Sequence, residues 1–398
     1  MNTKSFHYVS IAALVLMSLN LRAIVTSVSA VLAEIQQGTG MSPTATGVLT
    51  SLPCFAFGII GLLIPLVSKH TGIIPLLTIA MGLLSIGLWT RASAENATSF
   101  IVFTAIGLAG IAVANVLLPP FIRTYFPNQV VGLMTTYTVM LGIGTVTSAL
   151  LAAPLAAAFG WRHALWIWSL FAILAAIATA VLWKITPRKQ RNVSSQYLTR
   201  AAIHELLRAP KARWLIYFFA LQSLNAYAQM GWLAQIIRDQ GYSANTAGLM
   251  LGVMQFVIIP GGFIAPFLLH RTRHPQALAA FLGLLLLPSY MGILWLPQLM
   301  WIWVICITVS NLSFPLALCL IGTSAKTPAN TQLLSAMAQG FGYIVAGFGP
   351  MLVGVLLAIN DSWILPLGFL MLTVPFFAWA GYNVARPGYV EDSVHATD

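Results

Sequence analysis

VSIAALVLMSLNLRAIVTSVSAVLA, residues 9–33, carries a single charge, Arg22, in an otherwise apolar run. A helix crosses a hydrocarbon core of about 30 Å with roughly 20 mainly apolar residues, and it satisfies its own backbone hydrogen bonds on the way. The run is long enough to do this. It is too long for a signal-peptide core and lacks a small-residue cleavage site, so a retained span is expected. Strand-length alternation is absent, which excludes a barrel.

The same character holds along the whole chain. Hydrophobic residues make up 59% of it and charged residues 7%, with a mean hydropathy of +0.87. That composition belongs to an integral membrane protein. Apolar segments fall near 8–35, 44–68, 73–91, 98–122, 130–157 and 161–184. After a polar connection from Lys184 to Arg213, six more fall near 213–237, 244–269, 275–296, 299–323, 329–358 and 362–384. The expectation is an all-α integral membrane fold of twelve transmembrane helices. Its parts are an N-terminal six-helix bundle over 1–184, a basic linker over 185–212, a C-terminal six-helix bundle over 213–384 and a tail over 385–398.

Short loops rich in Lys and Arg stay on the cytoplasmic side. With both termini inside, that face collects Lys4, Lys69, Arg123, Arg271, Arg273, Lys326, Arg386 and eight basic residues between Lys184 and Arg213, against Arg91, Arg162 and Arg238 outside. Topology and anionic lipid therefore account for the net charge of +11, and nucleic acid is not expected as a partner. The linker segment AIHELLR, residues 202–208, reads as an interfacial helix. The expected location is the inner (plasma) membrane, with the lipid bilayer and a small-molecule substrate as partners and a monomer as the working unit.

Sliding the chain on itself exposes an internal repeat. At a shift of 201, Gly40 meets Gly241, Ser42 meets Ser243, Gly47 meets Gly248, Gly61 meets Gly262 and Pro65 meets Pro266. At 196, Asn115 falls on Asn311, Pro119 on Pro315 and Pro154 on Pro350. Two pseudo-symmetric six-helix bundles follow, with a site expected at their interface near the midplane.

Five stretches carry a family resemblance: LNLRAIVTSV (19–28), ANVLLPPFIRTYFP (114–127), GWRHAL (160–165), QSLNAYAQMGWLAQI (222–236) and SAMAQGFGYIVAGFGP (335–350). With these the sequence resembles the major facilitator superfamily, and within it the cyanate permease and 2-nitroimidazole transporter branch. The resemblance implies the major facilitator fold, alternating-access transport of a small anionic or strongly polar solute, and a role for Arg22 as the family's intramembrane arginine. Ala23, Ala33 and Ala234 stand where that branch carries prolines, and the loop PLVSKHTG (65–72) lacks the acid of the general loop motif.

The polar residues inside the spans are the candidate site. At about 100° per residue, Ser18, Arg22, Thr26 and Ser29 share one face of span 1, while Asn20 points away. Gln222, Asn225 and Gln229 share a face of span 7. Asn115, Gln255, Asn311, Gln339 and Tyr343 add polar groups in spans 4, 8, 10 and 11. The expected substrate-binding set is Arg22, Thr26, Asn115, Gln222, Asn225, Gln255, Asn311, Gln339 and Tyr343. Each has a competing structural reading, because interhelical hydrogen bonds and small-residue contacts also hold membrane helices together.

Arg22 stands apart in magnitude, since an arginine at mid-span costs about 2.5–3.5 kcal/mol on insertion scales. All eight acids lie at span ends, in loops or in the tail. A guanidinium offers paired hydrogen bonds to carboxylate-like or nitro-like oxygens, so its counter-charge is read as the cargo. A proton-driven cation exporter would carry an acid in its spans, and none is there. Glu34 and His163 are the candidate proton sites, so proton coupling stays open.

Catalytic motifs of the Gly-x-Ser-x-Gly, His-Glu-x-x-His or phosphate-loop type are absent, as is Cys-x-x-Cys, so neither an enzyme nor a cofactor or metal site is expected. The leading reading is a secondary active transporter for a small anionic or nitro-bearing compound. A broad-specificity drug or metabolite exporter and a non-transporting membrane sensor are the alternatives.

Overall fold

A computed structural model of the chain describes residues 3–186 and 206–394. Most of the linker, including residues 202–205 of the expected interfacial helix, lies outside the described residues. Among those described, all regular secondary structure is helical. Spans 1 to 6 are Thr3–Ala30, Pro43–Thr71, Ile73–Ala92, Ala97–Tyr125, Val130–Phe159 and Trp161–Ile185. Span 7 is Pro210–Asp239, span 11 Pro328–Asn360 and span 12 Ile364–Val384. Spans 8, 9 and 10 are each two helices in series: Ala244–Phe256 with Ile258–Arg271, Pro275–Leu284 with Leu286–Trp295, and Met300–Ser310 with Ser313–Thr323.

Ten of these rods are long and apolar enough to cross a membrane, and span 8 makes eleven if its two halves, bent by 41°, count as one. Span 7 is ample in length at 30 residues. Its polar face, with Gln222, Asn225 and Gln229, lowers its hydropathy.

The three breaks share a cause. Proline has no N–H to give to the carbonyl four residues earlier, and its ring crowds that carbonyl. Pro260, Pro288 and Pro315 thus leave Phe256, Leu284 and Asn311 without their helical donors, and the helices are interrupted at Val257, Leu285 and Asn311–Leu312. Pro119, the repeat partner of Pro315, leaves span 4 continuous. Span 1 ends without a proline, at Ala30, and a short helix Leu32–Thr39 carries the chain on.

The repeat survives in local geometry. Gly40 and Gly241 both take positive φ, 66° and 91°, where a side chain would strain. Two residues on, Ser42 Oγ accepts from Ala45 N at 3.2 Å and Ser243 Oγ accepts from Thr246 N at 3.1 Å. The paired glycines end one helix and the paired serines cap the next. Asn96 caps span 4, its side chain accepting from Ser99 N at 2.9 Å.

Small residues set the closest helix contacts. A Cβ at Gly87 would overlap the backbone of Gly107, one at Gly110 the carbonyl of Ala80, and one at Gly144 the carbonyl of Leu19. Spans 3 and 4, and spans 1 and 5, therefore touch backbone to backbone, as small-residue membrane interfaces do.

By packing, the chain divides into two compact units, Met1–Ser195 with Met230–Gly252, and Gln196–Gln229 with Val253–Asp398. This division cuts span 7 and is a different partition from the six-plus-six repeat. Large apolar side chains such as Phe263, Trp295, Ile364 and Leu372 stand exposed on the helices. In water such surface would aggregate; in a bilayer it meets its solvent.

The tail is strapped down. Val390 N donates to Ser324 O at 2.9 Å, Lys326 pairs with Asp392, and Lys326 N and Asn330 Nδ2 donate to Glu391 Oε1 at 2.9 and 2.8 Å. Lys211 Nζ reaches the carbonyls of Arg386 and Gly388 at 2.7 and 2.6 Å. The hydrogen bond from Lys326 holds the Asp392 carboxyl below its ordinary range. Partial burial pushes Glu391 up, but the donors from Asn330 and the backbone bring it below its usual value. Lys326 is raised by the same bond to Asp392. Groups with depressed pKa lose their contribution as pH falls through the bound value, and a raised lysine loses its own as pH climbs through the bound value. Tail docking is therefore expected to hold between the ordinary carboxylate and lysine ranges and to weaken in acid. A fluorophore at residue 394 should show rising mobility as pH falls below the ordinary carboxylate range, and Lys326→Ala should show it already at neutral pH.

Candidate functional site

In the first unit, Arg22 is buried, at 7% exposure, in the C-terminal half of the apolar helix Thr3–Ala30. Its guanidinium carbon lies 5.7 Å from the centre of the Phe57 ring, a cation–π distance that steadies a charge removed from water. Thr26, one turn on, donates to the Arg22 carbonyl at 3.1 Å and shares a hydrogen bond with Ser148 of span 5. Ser148 Oγ is also 3.0 Å from Thr145 O. The two hydroxyls have two protons to share among these three contacts. The Gly144–Leu19 contact, four residues before Ser148, sets the spacing of the two helices that makes this pair.

The rest of the span 1 stripe is more structural than expected. Ser18 Oγ donates to Leu14 O at 2.6 Å and Ser29 Oγ to Val25 O at 3.2 Å, each turned back onto its own helix. Asn20 does the same with Leu16 O at 2.8 Å. A cavity of about 20 Å³ lies beyond Arg22, lined by residues that include Ile24, Val28, Ser29, Thr104 and Leu108. It holds a water-sized group, not an organic solute.

Asn115 accepts from Tyr137 Oη at 3.3 Å. Glu34 is in an ion pair with Arg238 at 2.9 Å. His163 is exposed, its Nδ1 2.8 Å from Phe159 O at a helix start. Nothing in these contacts brings Glu34 and His163 to Arg22.

The second unit holds a directed chain of hydrogen bonds. Asn311 Nδ2 donates to Gln229 Oε1 at 3.2 Å, Gln229 Nε2 to Tyr290 Oη at 2.7 Å, and Tyr290 Oη to Asn225 Oδ1 at 2.9 Å. Asn225 Nδ2 then donates to Thr373 Oγ1 at 3.0 Å, and Thr373 Oγ1 to Leu370 O at 2.7 Å. Spans 10, 7, 9 and 12 are thereby tied through Tyr290, which sits at the centre with 1% exposure. The break at Asn311 frees that residue from regular helix just where it heads the chain.

Sequence reading found Asn225, Gln229 and Asn311 and missed Tyr290, Thr373 and Ser148. Gln222 and Gln255 are buried, at 2% and 4%, but stand outside this chain. Gln222 Oε1 accepts from Ser223 at 3.1 Å. Gln339 Nε2 donates to Ser335 Oγ at 2.7 Å. The Tyr343 ring packs edge-on against Phe219 and Tyr227, at 5.2 and 5.9 Å.

Tyr290→Phe strips one acceptor and one donor from the chain's centre, leaving Gln229 Nε2 and Asn225 Oδ1 buried and unpaired. Each such group costs about 1–3 kcal/mol. The expected result is a lower melting temperature than wild type by several degrees, with the helical content unchanged by circular dichroism.

Comparison with known proteins gives consistent relatives. A family model described as Major Facilitator Superfamily matches residues 11–350. An uncharacterized transporter of Bacillus subtilis (strain 168), YycB, is 31% identical over 98% of this chain and 97% of its own. The 2-nitroimidazole transporter of Escherichia coli (strain K12) is 30% identical over 90% of this chain and 91% of its own. The cyanate transport protein CynX of the same organism is 27% identical, covering 91% and 93%. Among solved structures, a D-xylose–proton symporter superposes with a TM-score of 0.73 at 15% identity, covering 96% of both chains.

Proposed function

Because the chain belongs to the Major Facilitator Superfamily, we propose that it moves a small anionic or nitro-bearing polar compound across the inner membrane by alternating access, with Arg22 at its binding site. The protein is a multi-pass membrane protein and a secondary transporter, not an enzyme. The substrate class is proposed on Arg22, a guanidinium buried within span 1 against Phe57.

A nitro group and a small anion share what a guanidinium recognises, electron-rich atoms that accept its N–H groups. Relatives named for 2-nitroimidazole and for cyanate fit that chemistry. Thr26 with Ser148 would supply the neighbouring hydroxyl contacts. The polar chain from Asn311 to Thr373, with Asn115, Gln222, Gln255, Gln339 and Tyr343, would contribute from the other helices. The proposed working halves are the bundles 1–184 and 213–384, joined by the linker 185–212, with linker, tail and both termini on the cytoplasmic side and a monomer as the unit. Anion entry against an inside-negative potential costs about 2.3 kcal/mol per charge per 100 mV, so import needs a co-transported cation, exchange or a steep gradient, whereas anion efflux can run uncoupled. For proton-coupled import, Glu34 and His163 are the proposed proton sites.

A melting-temperature screen of the purified protein tests the substrate class. Small anions and nitro compounds should raise the melting temperature in a saturable way, as any ligand that binds only the folded state does. Stabilisation by lipophilic cations alone would favour the broad-specificity exporter and contradict the proposal.

A further inference from the structure

Arg91 lies in the last turn of span 3 and has no accessible surface. Sequence reading counted it among the basic residues outside, at the end of span 3. Its Nη1 donates to the carbonyl of Ile24 at 3.1 Å, which pins the guanidinium against span 1, two residues from Arg22. Its other two nitrogens, Nε and Nη2, are buried and meet no acceptor among the described residues. Among those residues no carboxylate lies within ion-pair distance of it. Glu34 is held by Arg238, and Glu95, four residues on, is exposed.

Arginine keeps its proton at any physiological pH, so this charge cannot be relieved by titration. A buried charge without a counter-charge is strongly unfavourable. The two unmatched nitrogens are also neighbours: Nε–H and one Nη2–H point the same way along one edge of the guanidinium. That edge takes two oxygens of one planar oxyanion side by side. Ile24, whose carbonyl anchors the guanidinium, is also one wall of the 20 Å³ cavity.

We propose that the Nε–Nη2 edge of Arg91 binds a small planar oxyanion of the carboxylate or nitrate type, at a site in the first unit separate from Arg22. The anion neutralises the buried charge and locks span 3 to span 1. The site stands on Arg91 alone and does not depend on what the transporter carries.

The test uses the purified full chain and follows melting temperature against sodium formate or sodium nitrate, with sodium chloride holding ionic strength constant. Wild type and Arg22→Gln should both be stabilised in a saturable way by formate and nitrate. Arg91→Lys, which keeps the charge and loses the fork, should need at least about tenfold more anion. Arg91→Gln should not respond. Should Arg91→Gln fail to fold, wild type with formamide decides: this neutral analogue of formate should give no shift. An Arg91→Lys titration equal to wild type, or an equal shift with formamide, would overturn the site. An anion response lost in Arg22→Gln and kept in the Arg91 variants would overturn it too, while leaving the proposed function standing. A response lost in Arg91→Lys and kept in Arg22→Gln supports this site whatever becomes of Arg22.

Discussion

Arg22→Gln should lower affinity for the transported compound by about 10- to 100-fold, the loss expected when a charge-assisted hydrogen bond is removed. Glutamine keeps a donor at similar reach but loses the charge and the fork. Arg22 also packs against Phe57, so the melting temperature without ligand is read alongside to separate loss of fold from loss of binding. Arg22→Lys should sit between the two, keeping the charge near Phe57 while binding oxygens through one point. Titrating melting temperature with the best compound from the screen reads both effects at once. A glutamine variant with wild-type affinity would mean that Arg22 serves packing, with Phe57 as its partner, and that the cargo is recognised elsewhere.

Gly144→Val carries the second large effect. A side chain there meets the Leu19 carbonyl, part of the span 1 backbone, and backbone cannot swing away as a flexible side chain does. Spans 1 and 5 would have to part. Overpacking usually costs about 1–3 kcal/mol, and this case belongs at or above the top of that range. Parting the helices also separates Thr26 from Ser148, so ligand affinity should fall along with stability. Gly82→Val is the control, because a Cβ at Gly82 meets nothing within 4 Å. Comparable melting temperatures for the two variants would show that spans 1 and 5 do not pack as described.

Much of this was legible in the sequence because a bilayer imposes a simple code. Runs of about 20 apolar residues must become helices, and the segments near 73–91, 98–122 and 161–184 agree within a few residues with Ile73–Ala92, Ala97–Tyr125 and Trp161–Ile185. The repeat was legible for a local reason, since Gly40 and Gly241 share a backbone conformation and Ser42 and Ser243 share a cap. Breaks in spans 8, 9 and 10 were not, because proline marks Pro315 and Pro119 alike and only one of those helices is interrupted. Tyr290 was hidden by distance: its partners Asn225 and Gln229 lie more than 60 residues away, and helical periodicity reports only neighbours on one helix. Arg91 was hidden by position. At a span's end an arginine ordinarily reaches water, and nothing in one sequence tells that the path is filled by span 1.

Substrate counterflow in proteoliposomes tests the central claim most directly. Vesicles holding purified protein would be preloaded with unlabelled 2-nitroimidazole or cyanate, and entry of the labelled compound followed for wild type and Arg22→Gln. The account predicts saturable exchange of at least one of the two by wild type, reduced by about tenfold or more in Arg22→Gln at equal protein incorporation and equal melting temperature. Saturable exchange at the same rate in both proteins would contradict it.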